Sequence, residues 1–238
     1  MFLIRFVVRR LLVILAIAAI PLVAGELIAR KLVGDAVKSA VAARFGGQPA
    51  VSFGSTPLLW QLVNGRLDDV TVTEAGADVG GLPPVSVTAN FENVTVQKLI
   101  GLHGLVAAVA VTASLDRNGV RELLRASPCA GELPDGIGAA LTAGPRVRLH
   151  AGAITLLPPR GRAVLVRLVP SAVDGELDLR LVRVVAHGAS VAPGSLGPAG
   201  GCLVPLHDLP FRLTLASAGA MPGALRLELR GSRAEFQE

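Results

Sequence analysis

The residue types that most often carry out chemistry are scarce in this sequence and do not form a known catalytic or metal-binding motif. The four histidines, at positions 103, 150, 187 and 207, give neither an H-E-x-x-H motif nor a two-histidine helical pair, so a zinc site is not expected. Segment 188–192 lacks the last glycine of a G-x-S-x-G nucleophile elbow. The sequence also has no G-x-x-x-x-G-K-[ST] phosphate loop. We therefore expect a non-enzymatic protein without catalytic residues, metal or cofactor.

The two cysteines are the remaining candidates for covalent chemistry. Cys129 and Cys202 lie 73 positions apart, in segments rich in Gly and Pro. In an oxidising compartment they are able to pair, which in the chain-entropy model stabilises the fold by about 4 kcal/mol. The sequence leaves two interpretations open, a disulfide or two unrelated thiols.

The composition is that of an ordered, apolar protein. Of the 238 residues, 51% are hydrophobic and 17% are charged, with a mean hydropathy of +0.57. Since about 25% charge is usual, extensive disorder is excluded. The net charge of +5 includes Arg5, Arg9 and Arg10 near the N-terminus. The remaining basic residues form no cluster interleaved with aromatics, so no nucleic-acid partner is expected.

A basic segment followed by an uncharged apolar run opens the chain. The run, 11–25, is the one long apolar stretch in the sequence, so a multi-span membrane protein is excluded. Three arginines before it predict that the N-terminus is cytoplasmic and that the rest is exported. The run is long for a signal peptide and short for a spanning helix. We therefore predict that 1–25 is a signal peptide or a transmembrane anchor, and that 26–238 forms a single domain outside the cytoplasmic membrane.

An amphipathic helix is predicted directly after this run, over residues 26–45. Apolar residues recur there at spacings of three and four, as one face of a helix requires. They are Leu27, Ile28, Leu32, Val33, Val37, Val41 and Phe45. Gly46 and Gly47 are suited to end the helix, because glycine adopts the left-handed cap conformation easily. The apolar face is expected to pack on a sheet.

From Pro49 onward, the apolar pattern mostly has a period of two. Alternation is clear in 65–73, 85–92, 146–151, 176–181 and 225–230, which is typical of antiparallel strands with one wet face. A short helix is predicted at 119–126, with Asn118 as its cap. We predict an α+β fold in which one long curved antiparallel sheet wraps around one or two helices. Its interior is either an apolar groove or a filled core.

One segment resembles a known protein family. Residues 53–73, FGSTPLLWQLVNGRLDDVTVT, are similar to the actinobacterial envelope lipid-binding family typified by the mycobacterial lipomannan elongation factor. Segments 115–124 and 206–213 are also similar to it. The resemblance implies a fold of the tubular lipid-binding type, phospholipid binding at the outer face of the cytoplasmic membrane, and a role in lipoglycan or mannolipid assembly. It supplies no catalytic residues.

Two apolar clusters are candidates for contact with a lipid, because an acyl chain needs apolar area at about 25 cal/mol per Å². Core packing is the alternative role for both. Arg44 and Arg66 are candidates for a lipid phosphate, with solvated surface charges as the alternative. On a loop near the membrane, Trp60 is suited to the interface. The clusters are Leu27, Ile28, Leu32, Val33 and Val37 on the helix, and Leu58, Leu59, Trp60 and Leu62 after Pro57.

The leading hypothesis is therefore an exported, membrane-associated protein that binds a phospholipid or a lipoglycan precursor without catalysis. Two other hypotheses remain. The chain could be an envelope scaffold that binds a partner enzyme through its apolar helix face, or a hydrolase or transferase acting on a lipid-linked glycan. The latter requires a cleft with convergent polar groups, which the sequence does not indicate.

Overall fold

A computed structural model describes most of the chain. The described residues are 2–45, 47–77, 79, 82–98, 103–127, 129, 144–157, 164–186, 189–191, 201–207 and 209–237. For 2–20, 44–45, 96–98, 103–104, 164, 186, 189–191 and 233–237 the description covers the backbone and not the side chains.

The chain begins with one long helix, α1, over Phe2–Phe45. It includes both the apolar run and the predicted amphipathic helix, and it continues through Pro21. The predicted boundary at 25/26 therefore falls inside a helix, and the separation of 1–25 from the domain stays a prediction. Among the described residues, no helix is both long enough and apolar enough to span a membrane. After α1 the chain reverses at Gly47, which has a φ of +70°, a conformation that glycine adopts without strain.

The first sheet has six strands, all antiparallel. Its order is β1-β2-β3-β4-β12-β11. A short helix, α2 (Leu58–Val63), joins the first two strands, and α3 (Arg117–Ala126) follows the fourth. The strands are β1 (Ala50–Phe53), β2 (Arg66–Ala77), β3 (Val85–Lys98), β4 (His103–Leu115), β11 (Thr214–Met221) and β12 (Ala224–Gln237).

The second sheet is built from the chain between β4 and β11. Its order is β10-β8-β7-β6-β5, and β9 also pairs with β8. The prediction of one long sheet is therefore wrong in number, although the antiparallel α+β class is confirmed. Alternation identifies strands and their faces, but it does not reveal which strands pair. The strands are β5 (Arg146–His150), β6 (Ala153–Leu157), β7 (Val164–Val173), β8 (Glu176–Ala186), β9 (Ala189–Val191) and β10 (Gly201–Val204).

The core is formed by the inner faces of the two sheets, which meet where β11 packs against β7. Alternating leucines fill it, including Leu177 and Leu179 of β8 and Leu227 and Leu229 of β12, each at most 2% exposed. The far end of the first sheet, at β1 to β3, is covered by α1 instead. Between the two sheets the core is therefore filled by side chains. The pocket described in the next subsection lies at the other end of the first sheet, beneath α1.

The cap of α3 differs from the prediction. The side chain of Asp116 accepts hydrogen bonds from the backbone N–H groups of Asn118 and Gly119, at 3.0 and 2.8 Å. Asn118 lies inside the helix. Both residue types cap helices well, and Asp116 takes the position because its backbone is extended there.

Candidate functional site

The buried side of α1, which faces the first sheet, packs on it mostly through small residues. Ala29, Val33 and Val41 are at most 9% exposed, Gly34 is buried, and Val37 is partly buried against the core. At Gly34 a β-carbon would lie 3.7 Å from the ring of Phe53 on β1. The helix therefore lies close to the sheet, along an apolar strip.

The larger apolar residues of α1 do not share this side. Leu27, Ile28 and Leu32 are 63%, 60% and 66% exposed, so the structure separates them from Val33 and Val37. The sequence pattern groups all five on one face because apolar character alone does not distinguish the buried flank from its neighbours. Because the sheet lies close to the helix, the side that packs against it is the one with the small residues Ala29 and Gly34.

A small pocket lies between α1 and the first sheet. Its volume is about 10 Å³, room for about one water molecule. In this arrangement the pocket holds no acyl chain, so occupation by a lipid tail requires α1 to move away from the sheet. The pocket is lined by Val41 of α1, Val72, Glu74 and Ala77 of β2, and Val87, Ala89 and Phe91 of β3.

Glu74 is the one acidic residue in this lining. Its side chain is 4% exposed, and among the described residues neither of its carboxylate oxygens has a hydrogen-bond partner. It lies against Gly47, where any β-carbon would overlap the carboxylate. Glycine at 47 thus both permits the turn after α1 and leaves room for the acid.

Glu26 connects α1 to α2. Its Oε1 and Oε2 accept hydrogen bonds from the backbone N–H groups of Leu58 and Leu59, at 2.7 and 2.9 Å. Arg30, one turn later, donates to the same carboxylate at 2.6 Å and also to the carbonyl of Thr56 at 3.5 Å. The backbone donors of Leu59 and then Leu58 lower the pKa of Glu26 below 4.5, and Arg30 adds to that effect. We call this arrangement the Glu26 clamp.

The second predicted cluster forms the short helix α2 rather than a loop. Leu58 is fully buried, and Leu59 and Leu62 are partly buried against the core. Trp60 and Val63 point outward and are 65% and 82% exposed. We define the α1–α2 apolar surface as the exposed large apolar residues of these two helices: Leu22, Val23, Leu27, Ile28, Leu32, Trp60 and Val63.

The other predicted site residues lie apart from the pocket or outside the description. Arg66 is exposed at the start of β2, and the side chain of Arg44 lies outside the described part of the chain. Cys129 and Cys202 form a disulfide with a Cα–Cα distance of 5.2 Å, within the usual range. Among the described residues, no group of three or more His, Cys, Asp or Glu side chains is placed to hold a metal ion.

Comparison with family models decides the classification. The model described as LmeA-like phospholipid-binding matches residues 24–230, which include the apolar strip, α2, the disulfide and both sheets up to the middle of β12. The chain belongs to the LmeA-like phospholipid-binding family. The resemblance seen in the sequence is thereby confirmed.

The curated relatives that match this LmeA-like chain share only part of its length and have low identity to it. Uncharacterized proteins of Mycobacterium tuberculosis and Mycobacterium bovis are 27% identical to it over 113 residues, 47% of this chain and 32% of theirs. The match thus spans about a third of the relatives' length. No solved structure matches the chain.

Two residues of this LmeA-like site were missed in the sequence. Glu74 follows Val70 and Val72 at intervals of two, so the alternation of β2 already places it on the buried face. Glu26 gave no comparable signal, because its partners are backbone groups more than thirty residues away. A polar residue in phase with a buried face is a useful sign of a site, since such a residue is costly to bury.

Proposed function

We propose that this protein binds a phospholipid, with an acyl chain held between α1 and the first sheet. The match of the LmeA-like phospholipid-binding family to residues 24–230 carries the proposal. The apolar strip beneath α1 supports this position for the chain, because its packed surface is uncharged over Ala29, Val33 and Val41.

The dimensions of the strip are compatible with an acyl chain. Residues 26–41 of α1 extend over about 22 Å, at about 1.5 Å per residue. One leaflet of a bilayer has a hydrocarbon thickness of about 15 Å, half of the core. A single acyl chain therefore fits along the strip lengthwise.

The polar contacts of α1 with the rest of the fold lie near one point of the helix, so the helix is able to move away from the sheet beyond that point. Among the described residues, its hydrogen bonds to the rest of the fold come from Glu26 and Arg30. Beyond Arg30 it is held by apolar packing. We propose that α1 pivots at the Glu26 clamp, and that the acyl chain replaces the contacts which Val33, Val37 and Val41 make with the sheet.

We further propose that the protein works at the outer face of the cytoplasmic membrane, where it serves lipoglycan assembly. The basic start of the chain and the 11–25 run support export, with 1–25 acting as a signal peptide or an anchor. The α1–α2 apolar surface supports contact with a membrane, since large exposed apolar areas are typical of interaction sites. The sequence resemblance to the envelope family supports the link to lipoglycans, with a lipoglycan precursor as an alternative ligand.

Lipid binding is tested by mass spectrometry of organic extracts from the purified protein. We expect phospholipid to copurify with the chain. Val41→Asp places a charge in the strip and should lower the lipid content severalfold. Ser39→Asp places the same charge on the exposed side of α1 and should leave the lipid content unchanged. If the wild-type protein contains no phospholipid and retains none that is added, the proposed function is wrong.

Contact with a membrane is tested through Trp60, because it is the one tryptophan of the sequence. With vesicles that contain brominated phospholipids, its fluorescence should be quenched if α2 lies at the interface. Val63→Ser should reduce this quenching, whereas Leu203→Ser, which removes an exposed leucine from β10, should not. Unchanged Trp60 emission at saturating vesicle concentration would argue against membrane contact by α2.

A further inference from the structure

Glu74 has an environment that is unfavourable for a carboxylate. Burying a charge without a partner is costly, and a buried polar group that lacks hydrogen bonds commonly marks a missing ligand, ion or water. Both oxygens of Glu74 are in this state among the described residues. The carboxylate of Glu74 lies against Gly47, in space that a side chain at position 47 would fill.

The surroundings of Glu74 indicate the kind of group that would satisfy it. The other lining residues of the pocket, such as Val72, Val87 and Ala89, offer no side-chain hydrogen-bond donor. A carboxylate there repels phosphate and accepts hydrogen bonds from a cation.

Hydrogen bonding narrows the choice of cation further. A primary ammonium has three N–H donors for the two unpaired carboxylate oxygens of Glu74, whereas a trimethylated ammonium has none. Glu74 therefore suits a primary amine better than a choline.

We propose that Glu74 binds the primary ammonium of an aminated phospholipid headgroup, of the phosphatidylethanolamine type. This inference rests on the proposed function and adds the headgroup to it. When α1 moves away from the sheet, the ammonium reaches Glu74 at the Val41 end of the helix, and the acyl chain extends from there along the apolar strip toward α2. Glu74 thus selects the headgroup, while α1 covers the acyl chain.

The experiment compares retention of two lipids with identical acyl chains. Full-length protein is incubated with phosphatidylethanolamine or phosphatidylcholine in detergent, and the lipid that remains bound after gel filtration is quantified. We expect the wild-type protein to prefer phosphatidylethanolamine by about tenfold, as a charge-assisted hydrogen bond allows. Free ethanolamine, added in excess, should not compete if the ligand is the lipid headgroup, and full competition would assign the site to small free amines instead.

Two variants and one control make the outcome specific. Glu74→Gln keeps the size of the side chain and should abolish the preference, because phosphatidylethanolamine retention falls to the level of phosphatidylcholine. Glu92→Gln alters an exposed acid of β3 and should keep the preference. If Glu74→Gln folds poorly, Glu74→Leu replaces it, because an apolar residue in a buried acid's place is often neutral or stabilising.

The possible results separate the two proposals. Equal retention of both lipids by the wild-type protein, or a preference that survives in Glu74→Gln, overturns the headgroup assignment and leaves lipid binding standing. Retention of neither lipid overturns both the assignment and the proposed function.

Discussion

Removing the Glu26 carboxylate should weaken the fold in a pH-dependent way. In Glu26→Ala, the N–H groups of Leu58 and Leu59 lose the acceptors that lie at 2.7 and 2.9 Å. Loss of a helix cap costs about 0.5–2 kcal/mol. Since the Glu26 side chain is 20% exposed, water replaces part of the loss, and we expect a decrease of about 1–2 kcal/mol in the free energy of unfolding at pH 7.

The pH dependence follows from the lowered pKa of Glu26. A carboxyl group whose pKa is lower in the folded state stabilises the fold above its unfolded pKa, and this contribution is lost as the pH falls through the folded pKa. The ordinary value is 4.5. The wild-type protein should therefore exceed Glu26→Ala in stability at neutral pH, and the difference should shrink below pH 4.5.

Urea unfolding of the full chain between pH 7 and about pH 3 measures this difference. Asp35→Ala is the matched control, because Asp35 is also on α1, is exposed, and has only a 3.9 Å pair with Lys38. We expect it to change the free energy of unfolding by less than about 0.5 kcal/mol. An equal effect of both variants at pH 7, or a Glu26→Ala deficit that is constant with pH, would refute the clamp.

Three other predictions concern stability in urea. Cys129→Ser opens a disulfide that spans 73 residues and should cost about 4 kcal/mol, so a loss under 1 kcal/mol would contradict a role in stabilising the fold. Gly47→Ala should cost more than Gly223→Ala, because both glycines have positive φ but only at Gly47 would the added β-carbon overlap another side chain, that of Glu74; equal costs would show that this overlap is unimportant. Asp116→Ala should cost about 1 kcal/mol as a lost cap, and a larger loss in Asn118→Ala would restore the capping role to Asn118.

Much of the β structure was predictable because it depends on local alternation. In β5 and β12, apolar residues face the core and charged ones face solvent, so the sequence reveals both the strand and its buried side. Strand pairing is not local. Strand β12 pairs with β4 although all strands of the second sheet lie between them in the sequence. No periodicity in either strand specifies that partner.

The site was predictable only in part, for a different reason. Leu27, Ile28 and Leu32 were selected because they are large and apolar, but the contact between α1 and the sheet selects small residues such as Gly34. In α2, Leu58 and Trp60 belong to the same apolar cluster in the sequence, and only the orientation of the helix separates the buried from the exposed one. Burial of Glu74 was available from the alternation of β2, whereas its lack of a partner required coordinates.

The connection between β4 and β12 has a consequence for how the protein reaches its native state. Leu115 of β4 pairs with Leu225 of β12, so these adjacent strands meet only after the intervening chain has been synthesised. Contacts between residues so distant in sequence are associated with slow folding, on the millisecond-to-second scale. The intervening strands β5 to β8 are joined in sequential hairpins, and their early formation shortens the loop that must be closed. Until that closure the edge of β4 is open to unwanted pairing, which makes this the step at which a holding chaperone is most useful.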